Sequence, residues 1–145
     1  MQNLVTLMDK SRKRYLHLKF EECGVSFYEG IVMLVIENNL RGNQDSLSSL
    51  AGVDKFRMTR LVTALEERGL IFRELNPSNK REKLVKLTES GQEITHQLRA
   101  VMEQWNQICF SGFSTEEYEA LVRIMERIAH NISNYEKNEI SKKEQ

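Results

Sequence analysis

Between Asp45 and Leu87 the apolar pattern changes its period, and that change narrows the folds open to this chain. Leu47, Leu50 and Ala51 follow helical spacing and stop at Gly52. Met58, Leu61, Val62 and Leu65 resume that spacing after Asp54, and Gly69 ends the run. Leu70–Arg73 and Lys83–Leu87 then read as short strands, joined by the turn-rich Asn76-Pro77-Ser78-Asn79-Lys80-Arg81. The pattern predicts two short helices around a glycine turn, then a β-hairpin with a charged tip. Asp45 or Ser46 is expected to cap the first helix, and Asp54 the second. Such a pair is a helix-turn-helix, whose second helix exposes a polar face that fits the roughly 12 Å major groove of DNA.

The flanks read as longer helices. Leu4, Leu7, Met8, Tyr15 and Leu18 describe one apolar face of a helix through about Lys19, and Phe20–Ser26, with Gly24, reads as a break. Phe27–Glu37 is almost continuously apolar; β-branching alone would allow a buried strand, but its neighbours favour a buried helix. Asn38–Gln44, with Arg41-Gly42-Asn43, is a polar loop. Beyond the hairpin, Thr88 caps a helix through about Phe110 whose stripe is Ile94, Leu98, Val101, Met102, Trp105 and Ile108. Ser111-Gly112-Phe113 breaks it. Ser114 and Glu117 then open a last helix carrying Tyr118, Leu121, Val122, Met125, Ile128, Ala129, Ile132 and Tyr135, and the polar tail after Glu136 is expected to fray. The fold class expected is mainly α with a small β-hairpin wing.

Composition removes several function classes. With 145 residues, 40% of them hydrophobic, the chain suits one domain with added dimerisation helices. No apolar run approaches the roughly 20 residues that cross a bilayer. Basic Lys10–Arg14 follow the first apolar residues, the reverse of a signal peptide, so a cytoplasmic protein without a membrane partner is expected. Cys23 and Cys109 lie far apart with no CxxC or Cys/His cluster, and His17, His96 and His130 lack ligand spacing. No Ser/His/Asp order, phosphate loop or paired carboxylates can be named, so neither an enzyme nor a cofactor or metal is expected. The formal net charge is +0, yet Asp54–Lys86 holds nine Lys/Arg against five Asp/Glu. That surplus suits a polyanion-binding module, or a solvated charged surface.

The second helix should turn Lys55, Phe56, Arg57, Thr59, Arg60 and Thr63 outward. Arg bonds guanine O6 and N7 in a bidentate way, which makes Arg57 and Arg60 the leading base readers; the bland reading is the wet face of an amphipathic helix. Lys80 and Arg81 at the hairpin tip would lie beside it, with Arg81 entering a narrow minor groove.

Leu50-Ala51-Gly52-Val53, Thr59-Arg60-Leu61-Val62, Leu65-Glu66-Glu67-Arg68-Gly69-Leu70, Asn76–Arg81 and Leu84–Gly91 together resemble the multiple antibiotic resistance regulator (MarR) family of winged helix-turn-helix transcriptional regulators. The resemblance implies one domain over 1–145. Its DNA-binding lobe would span about 27–88, and its dimerisation helices about 1–20 and 88–137. It implies a homodimeric repressor on a palindromic operator, using Lys55, Arg57, Thr59, Arg60, Thr63, Asn79, Lys80 and Arg81. Family regulators often bind small aromatic effectors between dimer helices and lobe, where Tyr15, Phe27 and Trp105 are the candidates here, with a core role as the alternative. Two departures stand out. Asn79 replaces the usual wing Asp, so it can offer Arg81 only a neutral bond. Phe56 replaces a small polar residue or Pro; it packs either on a thymine methyl or in the core. Some relatives sense oxidants through cysteine, but Glu21 and Glu22 beside Cys23 should raise its pKa and blunt it. The competing reading is a winged-helix protein-interaction module that never touches DNA.

Overall fold

A computed structural model describes residues 2–39 and 42–143. The order is α1 (Gln2–Glu22), α2 (Phe27–Asn38), α3 (Gln44–Ala51), α4 (Lys55–Glu67), β1 (Ile71–Asn76), β2 (Asn79–Leu87), α5 (Glu89–Cys109) and α6 (Thr115–Lys143). This is the expected class, helices with one two-stranded antiparallel hairpin. Leu40 and Arg41, part of the expected polar loop, lie outside the described residues. The chain divides into two compact units, Met1–Asn106 and Gln107–Gln145.

In the first unit, side-chain caps set the helix limits. Ser26 Oγ accepts from the Glu29 N–H at 3.2 Å while Glu29 Oε2 accepts from the Ser26 N–H at 2.8 Å, a reciprocal box that starts α2 as a helix and not a strand. Asp54 Oδ1 accepts from the Arg57 N–H at 2.9 Å and caps α4 as expected. Gly52, at φ 65, closes α3 in the left-handed conformation. The α3 cap differs from expectation. Asn43 Oδ1 accepts from the Ser46 N–H at 2.7 Å, so Asp45 and Ser46 sit inside the first turn. Asn43 takes that role because the chain before α3 is tied to β2: Gly42 O accepts from the Val85 N–H at 2.7 Å, and Asn43 bridges Leu84.

The core joins Leu16 and Phe20 of α1, Val32 and Met33 of α2, Leu47 of α3, Met58, Val62 and Leu65 of α4, Ile71 and Val85 of the hairpin, and Leu98 of α5. The inner face expected for α4 is therefore the real one. That of α1 holds only at Tyr15, which is half-buried against the core: Leu4, Leu7, Met8 and Leu18 are exposed, and Leu16 and Phe20 point inward instead. Gly30 explains the rotation, since a Cβ there would lie 2.4 Å from the Phe20 ring, so α1 meets α2 where α2 has no side chain. Leu50, expected to face inward, is 64% exposed, because Leu47 and Ser48 already fill the buried side of α3.

In the hairpin Ile71 faces Leu87 and Asn76 faces Asn79, with a register shift after Leu75. The strands run longer than expected, leaving Pro77-Ser78 as the connection and placing Lys80 and Arg81 on β2 itself. On α5, Leu98 and Val101 are buried, Ile94 and Met102 are half-buried, and Ile108 is exposed.

The second unit opens on the expected box: Ser114 Oγ accepts from the Glu117 N–H at 3.1 Å and Glu117 Oε2 from the Ser114 N–H at 2.8 Å. Phe110 lies edge-on to Phe113 and Tyr118, at 5.7 and 5.0 Å between centroids. α6 continues past Glu136 to Lys143, so the tail expected to fray is helical over its described residues, and no residue of α6 is buried. Its apolar row from Tyr118 through Val122, Met125, Ile128 and Ile132 to Tyr135 faces solvent.

Gly91 sits against the hairpin, where an added Cβ would stand 2.0 Å from the Leu70 carbonyl oxygen. Backbone cannot swing aside as a side chain can, so Gly91→Ala should lower the stability measured by urea unfolding by about 1–3 kcal/mol.

Candidate nucleic-acid interface

Lys55, Phe56, Arg57, Thr59, Arg60 and Thr63 are all exposed on α4, the face expected from their spacing. Their engagements differ. The Arg57 guanidinium lies 4.0 Å above the Tyr28 ring centroid, a cation–π contact within the protein. Lys55 Nζ stands 3.7 Å from Asp45, an ion pair between well-solvated groups that adds little. Thr59 Oγ1 donates to the Lys55 carbonyl at 3.0 Å and accepts from Gln44 Nε2 at 2.8 Å. Thr63 Oγ1 accepts from Arg73 Nη2 at 3.4 Å, and Arg73 Nε also lies 3.4 Å from Glu66. Arg60 has no side-chain partner among the described residues. Phe56 is 76% exposed, which removes its core alternative.

On the hairpin Asn79, Lys80 and Arg81 are exposed. Asn79 Oδ1 accepts from the backbone N–H of Arg81 at 3.2 Å, so it shapes the turn and does not hold the guanidinium. Glu82 anchors the hairpin to the helix pair: one carboxylate oxygen accepts from Asn43 Nδ2, the other from Asn76 Nδ2 at 2.8 Å. Lys86 pairs with Glu74 across the strands.

A groove of about 330 Å³ separates the start of α3 from the hairpin, lined by Gln44, Asp45, Arg73, Arg81, Glu82 and Lys83 among others. Gln44 also holds Thr59, so it connects the exposed face of α4 to the groove that Arg81 enters. Gln44, Arg73 and Lys83 were not among the residues singled out from sequence. Lys83 was legible, since Arg81 and Lys83 are two apart on a strand and share a face. Gln44 was not, because its role depends on Asn43 being the cap.

The three expected effector-pocket residues all have aromatic neighbours within the protein. Tyr15 and Trp105 pair at 5.2 Å between centroids. Phe27 is buried and stacks on His17 at 4.4 Å and on Phe20 at 6.1 Å. A cavity of about 490 Å³ lies elsewhere, lined by Ile36, Glu37, Leu84, Val85, Gln92 and Arg99 among others. There Glu37 Oε1 accepts from Thr95 Oγ1 at 2.9 Å and lies 3.5 Å from Arg99 Nη2. Cys23, beside the end of α1, has its thiol pKa pushed up, first by burial and then by Glu22, with Lys19 opposing. Burial outranks the carboxylates that the sequence pointed to.

Residues 32–83 match the MarR family model. Over the whole fold the chain is similar to a MarR transcriptional regulator from Methanosarcina mazei Go1 (TM-score 0.80, 22% identity, 92% of this chain and 96% of that one). It is also similar to a MarR family transcriptional regulator from Listeria monocytogenes complexed with 26mer DNA (TM-score 0.81, 23% identity, 92% and 89%). CouR from Rhodococcus jostii RHA1, bound to p-coumaroyl-CoA, matches with a TM-score of 0.77 at 25% identity, covering 89% of this chain and 88% of that one.

If Glu82 anchors the hairpin, Glu82→Ala should cost about 1–2 kcal/mol by stranding the Asn43 and Asn76 amides. Amide exchange at Val85 should quicken while that at Val62 in α4 stays slow, as read by hydrogen-exchange mass spectrometry.

Proposed function

From a chain that carries the MarR-family domain over residues 32–83 and the fold of MarR-family winged helix-turn-helix regulators, we propose a homodimeric transcriptional repressor that binds double-stranded DNA. The observation that carries this reading is one polar surface whose exposed basic residues are linked through half-buried Gln44. It runs from Lys55 and Arg60 on α4, through Gln44, to the groove lined by Arg81 and Lys83.

In this reading α4 enters the major groove and its free Arg60 bonds a guanine edge. Lys55, Thr59, Thr63 and Lys80 meet phosphates, which fix orientation without reading sequence. Arg81, placed by the Asn79 turn, enters the neighbouring minor groove. Arg57 must leave Tyr28 to take part. The match to a regulator complexed with DNA supports the docking.

The apolar rows left wet on α1 and on α6 support a dimer, since exposed patches of that kind mark partner surfaces. A second copy covering them would place two α4 helices on successive major grooves, roughly 34–36 Å apart, and the operator would be palindromic. Bound there, the dimer would block transcription until a small ligand released it. Tyr15 with Trp105, or the cavity beside Glu37, are the candidate places for one, and the similarity to a ligand-bound regulator supports such control.

Gel shifts across a salt series test the reading. Arg81→Ala should weaken binding and lower the slope of log K against log salt by about 0.9 per subunit, about 1.8 for the dimer. Arg60→Ala should relax preference at one base pair by about 1–3 kcal/mol. No salt-sensitive retardation at micromolar protein would favour the protein-interaction module instead. Separately, Met125→Glu with Ile132→Glu should convert a dimer to a monomer in sedimentation equilibrium; an unchanged mass would exclude α6 from the interface.

A further inference from the structure

Phe56 is the most exposed large apolar side chain among the described residues, at 76%, and it occupies the second position of α4. Nothing in the fold requires it there: the α4 side of the core is filled by Met58, Val62 and Leu65. Cations surround it. Lys55 and Arg57 flank it in sequence, and Arg60 lies one turn on along the same face. Phe56 also forms part of a cleft of about 550 Å³ with Asp54, Arg57, Arg60 and Leu61. The surface is therefore a concavity with two apolar walls, Phe56 and Leu61, and a rim of two arginines and one carboxylate, Asp54, which the α4 cap already engages.

We infer that Phe56 is a specificity-determining residue whose ring packs on the C5-methyl group of a thymine in the major groove. The inference rests on the DNA-binding reading above and adds to it the chemistry of one recognised base. The rim cations match a polyanion, which argues for nucleic acid as the occupant over an apolar protein surface. On the major-groove floor, the apolar feature that separates one base pair from the others is the thymine methyl. A ring already standing free in the unbound protein meets it without repacking, and the methyl enters the cleft between Phe56 and Leu61. Arg60, on the same face, stays available for a neighbouring polar edge.

The test uses the full-length protein and a duplex selected by it from random-sequence DNA. Thymines in that duplex are replaced one at a time by deoxyuridine, which deletes the methyl and leaves every hydrogen-bonding group in place. At one thymine per half-site the wild type should bind about four-fold more weakly, the worth of one buried methyl group. Phe56→Ala, which removes the contact in both subunits of the dimer, should bind the parent duplex about sixteen-fold more weakly and ignore the deoxyuridine, while Phe56→Leu should keep part of the discrimination. Because the side chain is exposed, thermal unfolding of both variants should match wild type. A duplex bound equally well with deoxyuridine at every position, or a Phe56→Ala variant that still discriminates, overturns this inference and leaves the DNA-binding reading intact. If no duplex is recovered, both fall together.

Discussion

The register between hairpin and helix pair rests on two adjacent residues, Gly42 and Asn43. Gly42 presents its carbonyl to the Val85 N–H at 2.7 Å, and a Cβ on it would lie 3.0 Å from the Val85 oxygen. With φ 44 the backbone is also in the region that favours glycine. Asn43 makes three contacts that tie two elements together: it caps α3, bridges Leu84 on β2, and donates to Glu82 on the same strand. Because α3 in turn supplies Gln44 to Thr59, a shift at these residues would move α4 and the hairpin relative to each other. A surface that must meet two grooves of one duplex depends on that relation more than on any single basic side chain.

The balance of charge is understood at the same scale. Zero net charge hides an uneven distribution, because the acidic groups near the hairpin are largely occupied within the fold. Glu82 binds two asparagine amides, Glu74 pairs with Lys86, and Glu66 lies beside Arg73. Arg60, Lys80, Arg81 and Lys83 remain exposed without an ion-pair partner among the described residues. A polyanion would meet the local surplus and not the total.

Where local signals agreed with tertiary demand, the sequence was readable. Asp54, Gly52 and Gly69 punctuated the helix pair, and Met58, Val62 and Leu65 marked its inner face, since caps and periodicity are properties of short windows. Contacts distant in sequence were not visible there. Asn43 displaced Asp45 and Ser46 as cap because β2 holds it, and Leu16 with Phe20 displaced Leu18 because Gly30 opens a space for the Phe20 ring. The wet rows on α1 and α6 belong to the same class: their apolar spacing was legible, but not which residues this chain would leave uncovered. At the candidate interface, outward residues could be read from helical period alone, whereas Gln44 and the Tyr28 contact of Arg57 required the packed structure.

That last contact separates two arginines that looked equivalent. Arg57 sits over Tyr28, and an exposed cation–π contact is worth about 0.5–1 kcal/mol, so using Arg57 on DNA would forfeit roughly two- to fivefold in affinity for each subunit. Arg60 forfeits no such contact. Phe56 and Arg60 are four residues apart and so stand on one face of α4. An apolar reader and a bidentate one side by side can address adjoining base pairs, one through its methyl group and the other through paired acceptors. Arg57 then serves better as a tether between α4 and the start of α2 than as a second base reader. The discriminating power of α4 would accordingly concentrate in its first turn and a half, where the side chains least engaged by the fold are found.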